Sequence, residues 1–394
     1  MAGIREPLLS VRGFRFLGRN IGIGDHTLDF AVACADRPCA AAGVFTRNNF
    51  PGAPVIVGRE HLASGRLQAL VINSKNANAA TGSRGVNDAR RTCRALGEAL
   101  GVDERLVLPS STGVIGVALP VEKIERACRE AAGQLASGIE PLLLFARAIM
   151  TTDTRPKAVS VKVGNATLTA VAKGAGMIEP NLATMLAYFF TDAELHPVAL
   201  KALLSDAVER SFNRMSVDTD TSTSDTVVVL ANGLAGKVDA KAFAAALTEA
   251  AIYLAREIAR DGEGATKLIE LSVTEAPSQP AALACAKSVI NSPLVKTAIY
   301  GADPNWGRFV MAIGKVFAYP VPLAGLSITF GAGADALTIT ADSQPPETLR
   351  RISEYLRYPE VHIRIGLGAG SASETVWGCD LTEGYVKENA FYTS

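Results

Sequence analysis

The sequence predicts an α/β fold, with layered sheets covered by helices and a smaller α/β lobe at its C-terminal end. Short apolar, β-branched runs read as buried strands, and stretches with apolar residues at helical spacing read as the helices that cover them. The two kinds alternate along all 394 residues. A chain of that length exceeds one ordinary core, because single cores rarely grow past about 250–300 residues. A stretch of Pro and small polar residues at 275–282 (EAPSQPAA) marks the expected boundary, giving a main catalytic lobe of 1–280 and a lobe of 281–394.

Residues 66–74 (RLQALVINS) read as a buried strand leading into a polar turn, KNANAATG. Helices fit 86–100 and 121–136, the second with Pro120 near its start, where a missing N–H is tolerated. Between them RLVLPS reads as a strand that runs into the loop STGVIG. VSVKVG and TLTAVA form a hairpin turning at Gly164-Asn165. The glycine-rich KGAGMIEPN then gives way to MLAYFF, a fully buried strand. A helix over 195–210, the hydroxyl-rich SVDTDTSTSDT and a second buried strand, TVVVLANG, follow. Residues 240–260 carry the clearest helical spacing in the chain. Beyond 280 a helix (AALACAKSVI) and the strands LSITF, ALTIT, VHIRIGL and SETVWGCD alternate.

Composition narrows the function. Lys plus Arg and Asp plus Glu both number 39, so the chain lacks the basic excess that draws proteins to nucleic acid or anionic lipid. No apolar run approaches the ~20 residues that span a bilayer. MAGIREPLLSVRGFRF has scattered charges and no apolar core of a signal peptide, so a cytoplasmic address is expected. Six cysteines stand singly at 34, 39, 93, 128, 285 and 379, and the four histidines are isolated. Neither a metal site nor a cofactor is expected from them.

The common catalytic signatures are missing: no G-x-S-x-G, no G-x-x-x-x-G-K-[ST], no H-E-x-x-H. Gly366, Gly368 and Gly370 read as a plain turn. With so few histidines, a His-activated serine or cysteine is hard to assemble. What remains are clusters of small hydroxyl residues at strand ends: 110–113, 151–154, 183–184 and 221–224. A hydroxyl is a weak nucleophile without a base beside it. A chain that cuts itself before a threonine frees an α-amine with an ordinary pKa of about 7.7–8, and that amine can serve as the base. Thr184 suits the scheme, because it stands between a glycine-rich loop and a very apolar strand, behind small Ala183. Taken alone, an Ala-Thr pair at a strand start is a structural feature.

KGAGMIEPNLATML (173–186) resembles the self-processing segment of the ornithine acetyltransferases, in which the bond before the Thr of ATML is cut. The resemblance continues, in order, through AGVFTRNNF (42–50), NSKNANAATG (73–82), STGVIG (111–116), IMTTDTRPK (149–157), SVDTDTSTSDT (216–226), DGEGATK (261–267), NSPLVKTAIYGADPNWGR (291–308) and YVKENAFYTS (385–394). It implies the ornithine acetyltransferase/DmpA-like fold and autocatalytic cleavage between Ala183 and Thr184. The fragments 1–183 and 184–394 would assemble as two copies of each. Acetyl would pass from N2-acetylornithine to glutamate by a ping-pong route through acetyl-Thr184.

By the same likeness, Thr112 and Gly113 match the oxyanion-hole pair. Lys173 matches a substrate-contacting lysine suited to an α-carboxylate, and Glu263 suits a basic amine. Thr151, Asn389 and Ser394 match further substrate-binding positions, the last two implying that the tail returns to the active site. The chain departs from the usual pattern at Lys75 and Thr219, where glycines are usual, and at Ala80, where a cysteine is frequent. Such departures resemble members recruited to secondary metabolism. An amidase or aminopeptidase of the same fold, an acetyltransferase for a secondary-metabolite precursor, and an inactive paralogue are the rival readings.

Overall fold

The computed structural model describes residues 3–24, 26–179 and 185–391. Among them, 3–213 and 220–258 form one compact unit, and 214–219 with 259–391 form a second.

The first unit opens with β1 (Phe14–Arg19), β2 (Phe30–Phe45), α1 (Ala53–Leu62), β3 (Arg66–Asn73), α2 (Gly82–Leu100), β4 (Val107–Ser111), α3 (Val121–Ala131) and α4 (Ile139–Ala148). It continues with β5 (Lys157–Val163), β6 (Ala166–Lys173), β7 (Leu186–Glu194), α5 (Pro197–Glu209), β8 (Thr226–Lys237) and most of α6 (Ala240–Arg260). The strands make one sheet in the order β4-β3-β2-β8-β7-β6-β5, with β1 also paired to β2. A register shift between Cys34 and Cys39 lets β2 serve two sets of neighbours. Residues 30–35 pair with β1, 30–34 and 39–40 with β3, and 40–45 with β8.

Alternate residues of β2 enter opposite cores, as the period of two along a strand requires. Ala31, Ala33 and Ala35 join Phe14, Phe16, Phe145, Tyr188 and Phe190 on one face. Phe30, Val32 and Cys34 pack on the other face against Cys93 and Leu96 of α2 and Ile124 and Cys128 of α3. Strands covered on both sides carry unbroken apolar runs, which is why MLAYFF and TVVVL read so clearly. Local signals hold as well. Gly164 takes φ +57° in the β5–β6 turn, and Gly101 ends α2 at φ +67°.

The second unit holds β9 (Leu268–Ala276), α7 (Gln279–Ile290), α8 (Pro293–Tyr300), α9 (Trp306–Gly314), β10 (Ser327–Phe330), β11 (Leu337–Thr340), α10 (Pro346–Tyr355), β12 (Glu360–Gly366), β13 (Ala372–Cys379) and α11 (Glu383–Phe391). Its sheet runs β11-β10-β12-β9-β13 over a core that includes Val289, Phe309, Ile328, Phe330 and Ile363. β9 runs into the stretch at 275–282 and belongs to this sheet through β12 and β13. Asn305 caps α9 by accepting the Arg308 N–H, so GADPNWGR builds a helix start. All six cysteines are buried free thiols, and no helix among the described residues is long and apolar enough to cross a membrane.

Candidate active site

β3 and β4 run parallel and end together, with Asn73 opposite Ser111. The loops that follow fold onto each other. Thr112 N–H donates to Asn73 O at 3.1 Å, and Ala77 N–H donates to Val114 O at 2.9 Å. Three asparagines brace this corner: Asn73 Nδ2 donates to Asn76 O, Asn76 Nδ2 to Val117 O and Ala118 O, and Asn78 Nδ2 to Gly85 O. Gly113 takes φ +134°, and a Cβ there would lie 2.2 Å from the carbonyl carbon of Lys75. Only glycine fits so close an approach. Neither the Thr112 hydroxyl nor the Gly113 N–H has a hydrogen-bond partner among the described residues. Thr112 is only 7% exposed, so the corner presents two adjacent donors for a ligand oxygen to take up.

β6 ends at Lys173, opposite Leu186 at the start of β7. Lys173 is buried, and its Nζ donates to Thr151 Oγ1 at 3.1 Å. The carbonyls of Met150 and Thr151 both accept from Lys75 Nζ at 3.2 Å. Contacts therefore run unbroken from Gly113 through Lys75 and Thr151 to Lys173. Asp153 lies alongside, accepting from Lys157 Nζ at 2.7 Å, from Gly174 N–H at 2.6 Å and from Thr151 N–H at 3.1 Å. Burial alone would push its pKa up. The ammonium groups of Lys157 and Lys173, with the bonds from Lys157 and Gly174, overcome that and hold it at about 2.

That buried pair sets a pH dependence of stability. An aspartate ordinarily titrates near 3.9 when unfolded, so the depressed folded value contributes on the order of 2 kcal/mol. The contribution is present above about pH 4 and is lost as the pH falls through about 2. Asp153→Asn should remove this dependence and destabilise the fold by roughly 3–5 kcal/mol, because it takes away the carboxylate held 2.7 Å from the fully buried Lys157 ammonium. Urea midpoints of both proteins across that range check it. A variant as stable as the wild type would contradict it.

At the start of β7, Met185 N–H donates to Asp225 Oδ1 at 2.9 Å, and Met185 O accepts from Thr226 N–H at 3.0 Å. The chain before it is tied to the 220–221 loop: Glu179 N–H donates to Asp220 O at 2.9 Å, and Thr221 Oγ1 donates to Glu179 O at 3.1 Å. Ala183 and Thr184, the expected cleavage pair and nucleophile, lie outside the described residues, as does Ser394.

The other expected substrate residues belong to the second unit. Asn389 on α11 donates from Nδ2 to Glu263 Oε2 at 2.8 Å. The start of α11 is held by Thr382, whose hydroxyl donates to Gly264 O at 2.6 Å. Thus Thr112, Gly113, Thr151 and Lys173 share one unit, and Glu263 and Asn389 share the other. Asp153, Lys157 and Asp225 escaped the sequence reading, although two of the hydroxyl-rich blocks it singled out contain them (IMTTDTRPK and SVDTDTSTSDT). An acidic residue inside such a block at a strand end was the available signal.

A layered α/β core that presents two open donors beside a buried lysine has the layout of an acyl-transfer enzyme. The chain matches the ArgJ family across residues 15–394. It is 46% identical to Arginine biosynthesis bifunctional protein ArgJ 2 of Nostoc sp., over 97% of this chain and 98% of that protein. It is also 46% identical to Glutamate N-acetyltransferase Oat2 of Streptomyces clavuligerus, over 97% and 98% respectively. A solved chain of ornithine acetyltransferase from Mycobacterium tuberculosis, complexed with ornithine, matches 43% of this chain and 93% of its own at 37% identity, with a TM-score of 0.41. The chain belongs to the ArgJ family.

Proposed function

We propose that this protein transfers the acetyl group of N2-acetyl-L-ornithine to L-glutamate through an acetyl-Thr184 intermediate, after cutting itself between Ala183 and Thr184. The observation that carries this reading is the pair of uncommitted donors at Thr112 and Gly113 in a member of the ArgJ family. The freed α-amine of Thr184 takes the hydroxyl proton as Oγ attacks the acetyl carbonyl. Negative charge then grows on the acetyl oxygen, where the Thr112 hydroxyl and Gly113 N–H meet it. Ornithine leaves, and the amine of glutamate repeats the attack in reverse. The enzyme works in the cytoplasm without a cofactor, as two copies each of fragments 1–183 and 184–394.

Substrate recognition in this reading divides between a cation and an anion. Lys173 takes the α-carboxylate common to all the amino-acid substrates, with Thr151 beside it. Glu263, with Asn389, takes the distal ammonium that only ornithine brings, and Ser394 completes the set from the tail. Lys173→Ala should therefore weaken N-acetylornithine and N-acetylglutamate alike. Glu263→Ala should hurt N-acetylornithine more, by about ten- to a hundredfold, since hydrogen bonds to charged groups are worth roughly 1.5–3 kcal/mol. Measuring kcat/KM for both donors on both variants tests it. Equal losses with Glu263→Ala would mean that this carboxylate is structural, or contacts the α-amide instead of the distal amine.

A further inference from the structure

Asp225 stands one residue before β8 and is buried, at 2% exposure. Its Oδ1 accepts the N–H of Met185, the residue that follows Thr184. Its Oδ2 is also buried and has no hydrogen-bond partner among the described residues. The Thr46 hydroxyl gives its hydrogen to Ser222 O at 2.6 Å, so that hydrogen is already committed. A charged carboxylate with one oxygen bare in a dry surrounding is strongly disfavoured. Burial accordingly raises the Asp225 pKa well above the usual range, against the opposing pull of the Met185 N–H, the Thr46 hydroxyl and the Lys173 ammonium. The bare, buried Oδ2 favours the neutral carboxyl, and with Oδ1 accepting from Met185 its proton belongs on Oδ2. Asp153, with two lysines against it, is the opposite case.

The inference rests on the reading of Thr184 as the self-cleaving nucleophile. The nitrogen that must leave in that cleavage is the one on Thr184, joined through Cα and the carbonyl carbon to the Met185 amide that Asp225 grips. We propose that Asp225 supplies, from Oδ2, the proton that the Thr184 nitrogen takes up when the Ala183–Thr184 bond breaks. Thr184 Oγ bonds to the Ala183 carbonyl carbon and gives up its proton to a water molecule. The C–N bond then breaks, its electron pair stays on nitrogen, and nitrogen takes the proton of Asp225. The carboxylate left behind recovers the proton released by Oγ, so the carboxyl ends as it began. Water hydrolyses the resulting ester, restoring the Thr184 hydroxyl and leaving a carboxylic acid on Ala183. A neutral carboxyl also suits the cleaved enzyme, because a carboxylate there would raise the pKa of the new amine and keep it from acting as a base.

The test follows cleavage of the full-length chain, made by cell-free synthesis, into fragments 1–183 and 184–394 over time. Wild type, Asp225→Asn and Thr184→Ala are compared. Asparagine keeps an oxygen for the Met185 N–H but has no acid proton. Asp225→Asn should cleave 10²- to 10⁴-fold more slowly, the usual range for loss of a positioned acid, while Thr184→Ala should not cleave. Cleavage of Asp225→Asn at the wild-type rate overturns the proposal and leaves Thr184 standing as the nucleophile. A wild type that never cleaves before Thr184 overturns the reading of Thr184 itself.

Should Asp225→Asn fail to fold, the wild-type pH profile decides. The charged group facing Asp225 is Lys173 of β6, while Thr46 contributes a hydroxyl and Met185 a backbone amide. Cleavage should be fastest where Asp225 is protonated and fall with rising pH as it ionises, above the usual carboxylate range. A rate that keeps rising with pH overturns the proposal.

Discussion

Thr184→Ala should leave one intact chain and abolish acetyl transfer, by on the order of 10⁴- to 10⁶-fold, the range seen when a nucleophile is removed from a group of residues that act as a unit. Two losses combine in the one substitution. Without Oγ there is no attack on the Ala183 carbonyl, so no free α-amine is made, and no acyl group can be carried. The apolar strand behind it should be unaffected. β7 is held between β6 and β8 along its length, and Tyr188, Phe189 and Phe190 are fully buried. An unchanged melting temperature beside a single uncut band is the expected pair of results. A fully active, uncut wild type would contradict the scheme, because the tethered amine would then be unnecessary.

Thr112→Ala should lower kcat by roughly 10²- to 10³-fold, as removal of one oxyanion donor does elsewhere. The hydroxyl makes no hydrogen bond among the described residues, so its removal costs the folded state little. What Thr112 does for the fold lies in its backbone, which donates to Asn73 O and is kept in the variant. The loss should therefore fall on kcat, with KM and stability little changed. Steady-state kinetics and a thermal melt on the same preparation check both parts. An effect below threefold would reduce Thr112 to a turn residue.

The parts of this fold legible in the sequence are those with one dominant local cause. The β5–β6 hairpin announces itself through Gly164, α6 through its spacing, and β7 and β8 through burial on both faces. β1 and β2 were not read, because β2 is long, rich in alanine and broken by the shift between Cys34 and Cys39, so no single period runs through it. α1 hid behind a weak apolar stripe, and α11 hid in a polar tail in which none of its described residues is buried.

Within the site, Thr112, Gly113 and Lys173 were nominated by likeness, and their physical reasons are tertiary. Gly113 must be glycine because Lys75, far away in sequence, packs against it. Lys75 and Thr219, where the family resemblance leads to an expectation of glycine, both sit at positive φ, +75° and +72°. A left-handed backbone explains a preference for glycine there, and Lys75 offsets its cost with two bonds to the 150–151 carbonyls.

In the proposed reaction an acetyl group rests on Thr184 between donor and acceptor. Purified enzyme mixed with N2-acetylornithine, without acceptor, should show the 184–394 fragment heavier by one acetyl group, mapped to Thr184 by peptide mass spectrometry. Addition of glutamate should discharge it as N-acetylglutamate. Transfer that proceeds at full rate with Thr184 never acetylated would contradict the account.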